Sequence, residues 1–269
     1  MTHTMKEKQA EWLLAIRFSL AFILLSLVFH KKLQKLNRQT ILHGAILGGL
    51  FFLVMIFEAA ALTTTDTSTT SFLENTAIIF VPIIKAILCQ KMPSRSSIFS
   101  VLLAISGVAL LTLSGSQFHL TKGELLCIAA AIFYACAIIA TDHFSHIGDS
   151  ILLGIFEIGF LGLFALCGSF VSGSFTIPVS MKEYASLAVL VIICSGFGFT
   201  LQPMAQSHMS TERAGLFCAL NPAFASLLGI FILHEHFTMQ RLIGALLILS
   251  SLFLPKLISS KSTSESAPT

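Results

Sequence analysis

Stretch after stretch of about 20 apolar residues, each long enough for a helix to cross a hydrocarbon core, runs from Trp12 to Ile258 with only short polar breaks. This feature dictates the solvent. In lipid every backbone N–H and C=O must be bonded within the structure, so spanning segments are helices or closed barrels. Barrel strands alternate apolar and polar side chains, whereas these runs are continuous. The chain is therefore expected to be an all-α integral membrane protein. Its charged fraction of 11% is well under the roughly 25% of soluble domains, and its mean hydropathy of +0.88 leads to the same place.

The runs predict nine spans, at 11–30, 41–62, 70–90, 97–115, 122–143, 150–171, 184–206, 213–233 and 240–258, with a polar tail at 259–269. Local chemistry supports several starts. Thr121 followed by Glu124 has capping-box spacing, and Asp149-Ser150 and Ser210-Thr211 precede apolar runs as N-caps do. Glu124 and Glu212 are thus read as helix-start residues. Cys89, Cys127, Cys136, Cys167, Cys194 and Cys218 have no ligand-like spacing and are expected to be small buried packing residues. The net charge of +3 lies in loops and reads as topology, with no nucleic-acid partner. If the loop holding Lys31, Lys32, Lys35 and Arg38 is cytoplasmic, Lys91, Arg95, Arg213, Lys256 and Lys261 join it. Lys6, Lys8, Lys122, Lys182 and Arg241 fall on the other side. That bias predicts an outside N-terminus and a cytoplasmic C-terminus in the plasma membrane.

Displacing the chain by 144 residues lays Ala61 on Ala205, Phe80 on Phe224, Leu102-Leu103 on Leu246-Leu247 and Ser106 on Ser250. Hydropathy and turn positions coincide as well, which predicts an internal repeat. Repeats with an odd number of helices enter the membrane from opposite sides, an architecture of many secondary transporters.

The segment Leu201 to Ile248 carries Ala205-Gln206 at a helix end, the short turn Thr211 to Ala214, Asn221-Pro222, and Leu233-His234-Glu235 before the last helix. With these marks it resembles the second repeat of the EamA-like family in the drug/metabolite transporter superfamily. Ser71 to Leu88, with Pro82, resembles the first-repeat counterpart, and Lys122 to Ile139 the helix that opens the second repeat. The resemblance implies a truncated first repeat of four helices over 1–115 and a second of five over 122–258. Family members usually have ten spans; this chain begins at what resembles the second helix, with Arg17 at the family's arginine, and Gln90-Lys91 stands where the family has Gly-Glu. The implied function is alternating-access export of a small, amino-acid-like or other polar metabolite. Two alternatives stand beside it: an inactive truncated member, and a membrane subunit that takes a helix from a partner. A homodimer is compatible with all three.

A charge at the centre of a span costs about 2.5–3.5 kcal/mol on insertion scales, so acids inside spans need a reason. Glu58, Glu74 beside Asn75, and Glu157 are the candidates, with pairing to Arg17 or Lys85 as the structural alternative. Family relatives often have Gln where Glu157 stands, so this chain has a titratable group that can bind a proton or a cation. Pro82, Pro203 and Asn221-Pro222 interrupt helices and free carbonyls for a substrate, or are packing kinks. Tyr134 and Gln202 offer neutral hydrogen bonds on helices that line the central cavity of the resembled fold. The substrate-binding set is therefore Glu58, Glu74, Asn75, Tyr134, Glu157, Gln202 and Asn221. Gly44, Gly48 and Gly49, and Gly154, Gly159 and Gly162, are expected to bring helices close.

His234-Glu235-His236 has ligand types, but residues two apart on a helix face different ways, so no metal site is expected. There is no Gly-x-Ser-x-Gly elbow, no His-Glu-x-x-His and no Walker motif. The chain is accordingly not expected to be an enzyme or to need a cofactor, and its energy would come from a gradient.

Overall fold

A computed structural model describes residues 2–65, 67–90, 92–112, 121–173, 181–224, 239–240 and 242–251, and these contain helices and turns with no strand. The helices are α1 (Thr2–Val28), α2 (His30–Leu33), α3 (Arg38–Ala61), α4 (Thr67–Asn75), α5 (Ala77–Cys89), α6 (Arg95–Thr112), α7 (Lys122–Ser145) and α8 (Ser150–Ser172). They are followed by α9 (Met181–Val189), a π-helix (Leu190–Phe199), α10 (Thr200–Gln206) and α11 (Thr211–Cys218). Five stretches are long and apolar enough to cross a bilayer: Arg38–Ala61, Thr69–Cys89, Lys122–Ser145, Ser150–Val171 and Glu183–Gln206. Shorter apolar helices cover Trp12–Val28, Arg95–Leu110 and Leu242–Ser251. The expected spans 213–233 and 240–258 lie partly outside the described residues, as does Leu233-His234-Glu235 with His236.

Helix starts follow from capping. The Thr121 N–H donates to Glu124 Oε2 at 2.9 Å and the Glu124 N–H to Thr121 Oγ1 at 3.3 Å, a reciprocal box. Asp149 caps α8 through Oδ1, which accepts from the N–H groups of Ile151 (2.9 Å) and Leu152 (3.2 Å), while Lys32 donates to Oδ2 at 2.7 Å. Burial alone would raise the Asp149 pKa, but the Lys32 hydrogen bond, the two amides and the Lys32 charge together hold it below the usual carboxylate range. A depressed carboxyl contributes stability above its unfolded pKa of about 3.9, and that stability is lost as pH falls through the lower folded value. Asp149→Ala is therefore expected to lower the melting temperature at pH 7 by the equivalent of about 1 kcal/mol. The difference from wild type should vanish in melts run in strong acid.

The prolines act at a distance set by their geometry. Pro has no N–H and its ring crowds the carbonyl four residues back. Accordingly the π-helix ends at Phe199, four residues before Pro203, and α11 ends at Cys218, four before Pro222. The break between α4 and α5 falls at Thr76, six residues ahead of Pro82, which sits inside α5.

Two compact units result, Met1–Thr63 with Ile139–Ser210, and Thr64–Ile138 with Thr211–Thr269. In the first, α8 lies between α1 and α3. A Cβ on Gly44 would fall 2.5 Å from Phe156 Cβ, and one on Gly48 would fall 2.7 Å from the Glu157 carbonyl and 2.8 Å from the Leu161 nitrogen. Gly154 abuts the backbone of Thr200, and Gly162 that of Phe18 and Ser19. Small residues let backbones approach where lipid supplies no hydrophobic drive for helices to associate. Gly49 does not share this role, since its Cβ would meet Phe164 at an ordinary 3.6 Å.

The contacts also give direction. Gly44 meets Phe156, Gly48 meets Leu161 and Phe52 packs on Phe164, so α3 and α8 run parallel. Gly162 meets Ser19 while Gly159 meets Phe22, so α1 runs antiparallel to α8. In the second unit Ile78, Val101, Ala104, Val108, Leu216, Ala219 and Ile248 form the core, and Gly107 abuts the Gly244 carbonyl. Leu27, Leu42, Ile87, Phe99 and Phe170 are among many large apolar side chains left outside, as lipid-facing surface requires.

The cysteines depart from expectation. Cys127 is buried and Cys136 and Cys218 half-buried, but Cys89, Cys167 and Cys194 are exposed on apolar helix surfaces. A thiol is apolar enough to face lipid as readily as core.

Candidate functional site

The seven expected site residues divide between the units: Glu58, Glu157 and Gln202 in the first, Glu74, Asn75, Tyr134 and Asn221 in the second. Within the first, Glu157 sits on α8 where two close helix approaches meet, with Gly44 and Gly48 of α3 against its backbone and Gly154, one turn earlier, against Thr200. Its side chain is 0% exposed, and neither Oε1 nor Oε2 has a hydrogen-bond partner. Buried polar groups are nearly always bonded, so an orphaned carboxyl marks a protonated or a working group. In the same unit Phe199 packs edge-on against Phe18 and Phe51, with centroids 5.4 Å away in each case, and Ile155, Ile158 and Leu161 of α8 are buried as completely as Glu157.

Arg17 does not neutralise this acid. Its Nε donates to Ser195 Oγ of the π-helix at 2.6 Å, and its guanidinium lies 4.7 Å from the Phe18 ring centroid, a cation–π contact. A π-helix is rare and concentrates at functional positions; here it presents the buried Ser195 to the arginine. Thr141 Oγ1, Thr200 Oγ1 and Gln206 Oε1 are further buried polar atoms without a partner in this unit. Gln202, two residues past Thr200, is half-buried. Glu58 is half-buried and lies ten residues beyond Gly48, about 15 Å further along α3 at 1.5 Å per residue. It is thus not brought to Glu157.

In the second unit Tyr134 meets Cys218, its hydroxyl donating to Cys218 Sγ at 3.3 Å. Asn75 turns to its own helix, donating to the Ser71 carbonyl at 2.7 Å, and Asn221 is exposed three residues past Cys218. Lys85 donates to Thr211 Oγ1 at 2.9 Å, and Ser97 Oγ to Glu212 Oε2 at 2.8 Å, so the start of α11 is tied to α5 and α6. Among the described residues the ion pairs are Lys32–Asp149 and His146–Asp142, with none joining Glu157 to a cation.

Sequence reasoning missed Ser195, Thr200 and Cys218. Serine, threonine and cysteine are common inside spans, and only the partners of Ser195 and Cys218 and the complete burial of the unbonded Thr200 hydroxyl distinguish these three. Two cavities within the first unit have other linings. One of about 310 Å³ is bounded by apolar residues of α1 and α8, among them Phe22, Phe156 and Leu163; the other, of about 210 Å³, has a polar rim that includes Lys35 and His43.

Several helices long and apolar enough to cross a bilayer, with polar groups held inside them, define the class of multi-pass membrane proteins. The chain matches the EamA-like transporter family over residues 1–113 and 121–255, and it belongs to that family. Two proteins of Archaeoglobus fulgidus named uncharacterized transporters are similar to it. One is 25% identical over 80% of this chain and 68% of its own length, the other 25% identical over 88% and 84%. The uncharacterized transporter YetK of Bacillus subtilis is 25% identical over 76% of this chain and 63% of that protein. A crystal structure sharing 15% identity superposes with a TM-score of 0.77, covering 94% of this chain and 88% of that one, which establishes a shared fold.

Proposed function

We propose that this chain is a secondary transporter that exports a small polar, amino-acid-like metabolite by alternating access, coupled to proton movement through Glu157. The observation that carries the reading is the fully buried Glu157 carboxyl with no partner on either oxygen. A carboxyl that must remain in lipid-embedded protein without a salt bridge is a functional group by default. Tyr134 and Cys218 form a second polar contact, and with Glu58, Glu74, Asn75, Gln202 and Asn221 they are the groups assigned to substrate contact.

The proposal includes nine spans arranged as two inverted repeats. Support comes from the parallel run of α3 and α8, which requires an odd number of crossings between them; the segments 69–89, 95–112 and 122–145 supply three. Further support lies in the first compact unit, whose ranges are 1–63 and 139–210. Adding the 144-residue displacement to 1–63 gives 145–207, so the unit joins a segment to its counterpart. The bias of the loop cations supports a cytoplasmic C-terminus in the plasma membrane, and the proposal includes a homodimer as a compatible assembly.

The test is an untargeted metabolite comparison of medium and cytosol in cells expressing the wild type or Glu157→Ala at equal membrane level. One metabolite class should accumulate outside with the wild type alone. Indistinguishable profiles from the two chains and from empty cells would remove the transporter reading for this form of the protein.

A further inference from the structure

We propose that the 210 Å³ cavity at one end of the first unit is a binding site for the phosphate of an anionic phospholipid headgroup. It lies between the α2–α3 turn and the α7–α8 turn, lined by Lys35, Gln39, Thr40, His43, Phe144 and Gly148 among others. Its polar rim is rich in donors. The Lys35 ammonium has no partner among the described residues, and neither ring nitrogen of His43 is hydrogen-bonded there. The His43 ring is held in place, stacked on Phe144 with centroids 4.1 Å apart and planes 5° from parallel. The Thr40 hydroxyl faces Gly148 across the cavity wall, 3.6 Å from where a Cβ would stand.

One acid stands at the rim, and it is already engaged. The Asp149 carboxylate takes the Lys32 ammonium on one oxygen and two α8 amides on the other. Lys32 and Asp149 cancel, leaving Lys35 as the uncompensated cation of the cavity lining. Basic pockets between membrane helices attract lipid headgroups, and each nearby cation strengthens binding about fivefold.

The surface next to the cavity favours a lipid over a free phosphate. Leu42, Ile46 and Leu53 are exposed on α3 at spacings that share one helix face. Leu42 lies one turn past Gln39 of the cavity lining, so the apolar stripe begins at the cavity and runs into the span. A phosphate in the cavity thus has a path on which its acyl chains can lie. Ile147, also exposed, adds apolar surface at the opposite wall.

The test uses the purified full chain, incubated with mixed micelles of phosphatidylcholine and phosphatidylglycerol and examined by native mass spectrometry. Wild type should retain one phosphatidylglycerol in preference to phosphatidylcholine. Lys35→Gln should weaken that retention about fivefold, and Lys35→Gln with His43→Gln further. Lys31→Gln, outside the cavity lining, should retain the lipid, and Lys35→Arg should restore it. Lys35 is exposed, so its single variants leave the fold intact, and size-exclusion profiles check the double variant. Three results would overturn the proposal: no preference for the anionic lipid, an equal loss in Lys31→Gln, or displacement by inorganic phosphate, which would make the site one for free anions.

Discussion

Glu157→Met is expected to raise the melting temperature of the purified protein, and Glu157→Gln to abolish its response to a proton gradient. An unpartnered polar group buried in a protein interior costs about 1–3 kcal/mol on mutational scales. Glu157 is fully buried beside the close backbone approach of α3, and it has no partner on either oxygen. Methionine fills nearly the same volume, so little cavity or overpacking penalty opposes the gain. In a chain of this size each kcal/mol moves the melting temperature by about 2–4 °C. Gain of stability with loss of function is the pattern of a group kept for work and not for folding. Glutamine keeps the size and polarity but cannot exchange a proton at neutral pH. Thermal melts in detergent and transport at two external pH values read the two effects separately. A Glu157→Met protein that melts lower than wild type would show that the carboxyl is structurally bonded after all.

Gly48→Leu is expected to prevent recovery of a monodisperse protein. A Cβ at this position would sit 2.7 Å from the Glu157 carbonyl oxygen, 2.8 Å from the Leu161 nitrogen and 2.8 Å from Phe160 Cβ. Two of the three are backbone atoms of α8, which no rotamer change can move aside. The helices would have to separate, and overpacking of this kind typically costs 1–3 kcal/mol or more (a rough range). Separation would also loosen the enclosure of Glu157, so transport should fall in whatever protein survives. Gly49→Ala is the matched control, because its Cβ meets a Phe164 ring atom at 3.6 Å. It should melt within about 0.5 kcal/mol of wild type or slightly above, since alanine is the better helix former. Equal behaviour of the two variants in size-exclusion and melting would refute the close α3–α8 approach.

Much of this architecture is legible in the sequence because the bilayer imposes a length. The expected spans 41–62, 70–90, 122–143, 150–171 and 184–206 correspond to helical stretches whose ends differ by three residues at most. Thr121 with Glu124, and Asp149, are legible because caps use few residue types at fixed spacing. Gly44 and Gly48 are legible as a four-residue pair on one face, whereas Gly49 is counted with them only until the partner helix is known. The π-helix at Leu190–Phe199 leaves no such mark, since its apolar, glycine-containing sequence suits an α-helix nearly as well.

The candidate site is less legible for a related reason. Glu157 stands out in sequence because acids are expensive inside spans. Whether such an acid is paired depends on tertiary contacts, and these direct Arg17 to Ser195 and Lys85 to Thr211. Tyr134 finds Cys218 across 84 residues of chain, a meeting that hydropathy does not encode. Asn75, expected to face a substrate, instead bonds its own helix at Ser71, as Asn side chains in helices often do.

Proton movement through Glu157 during transport can be measured directly. The direct measurement uses proteoliposomes containing purified wild type or Glu157→Gln, loaded with the metabolite class that the cell comparison identifies, with and without an inward proton gradient. The gradient is expected to accelerate efflux from wild-type vesicles and to leave Glu157→Gln vesicles unchanged. An equal acceleration in both would contradict it.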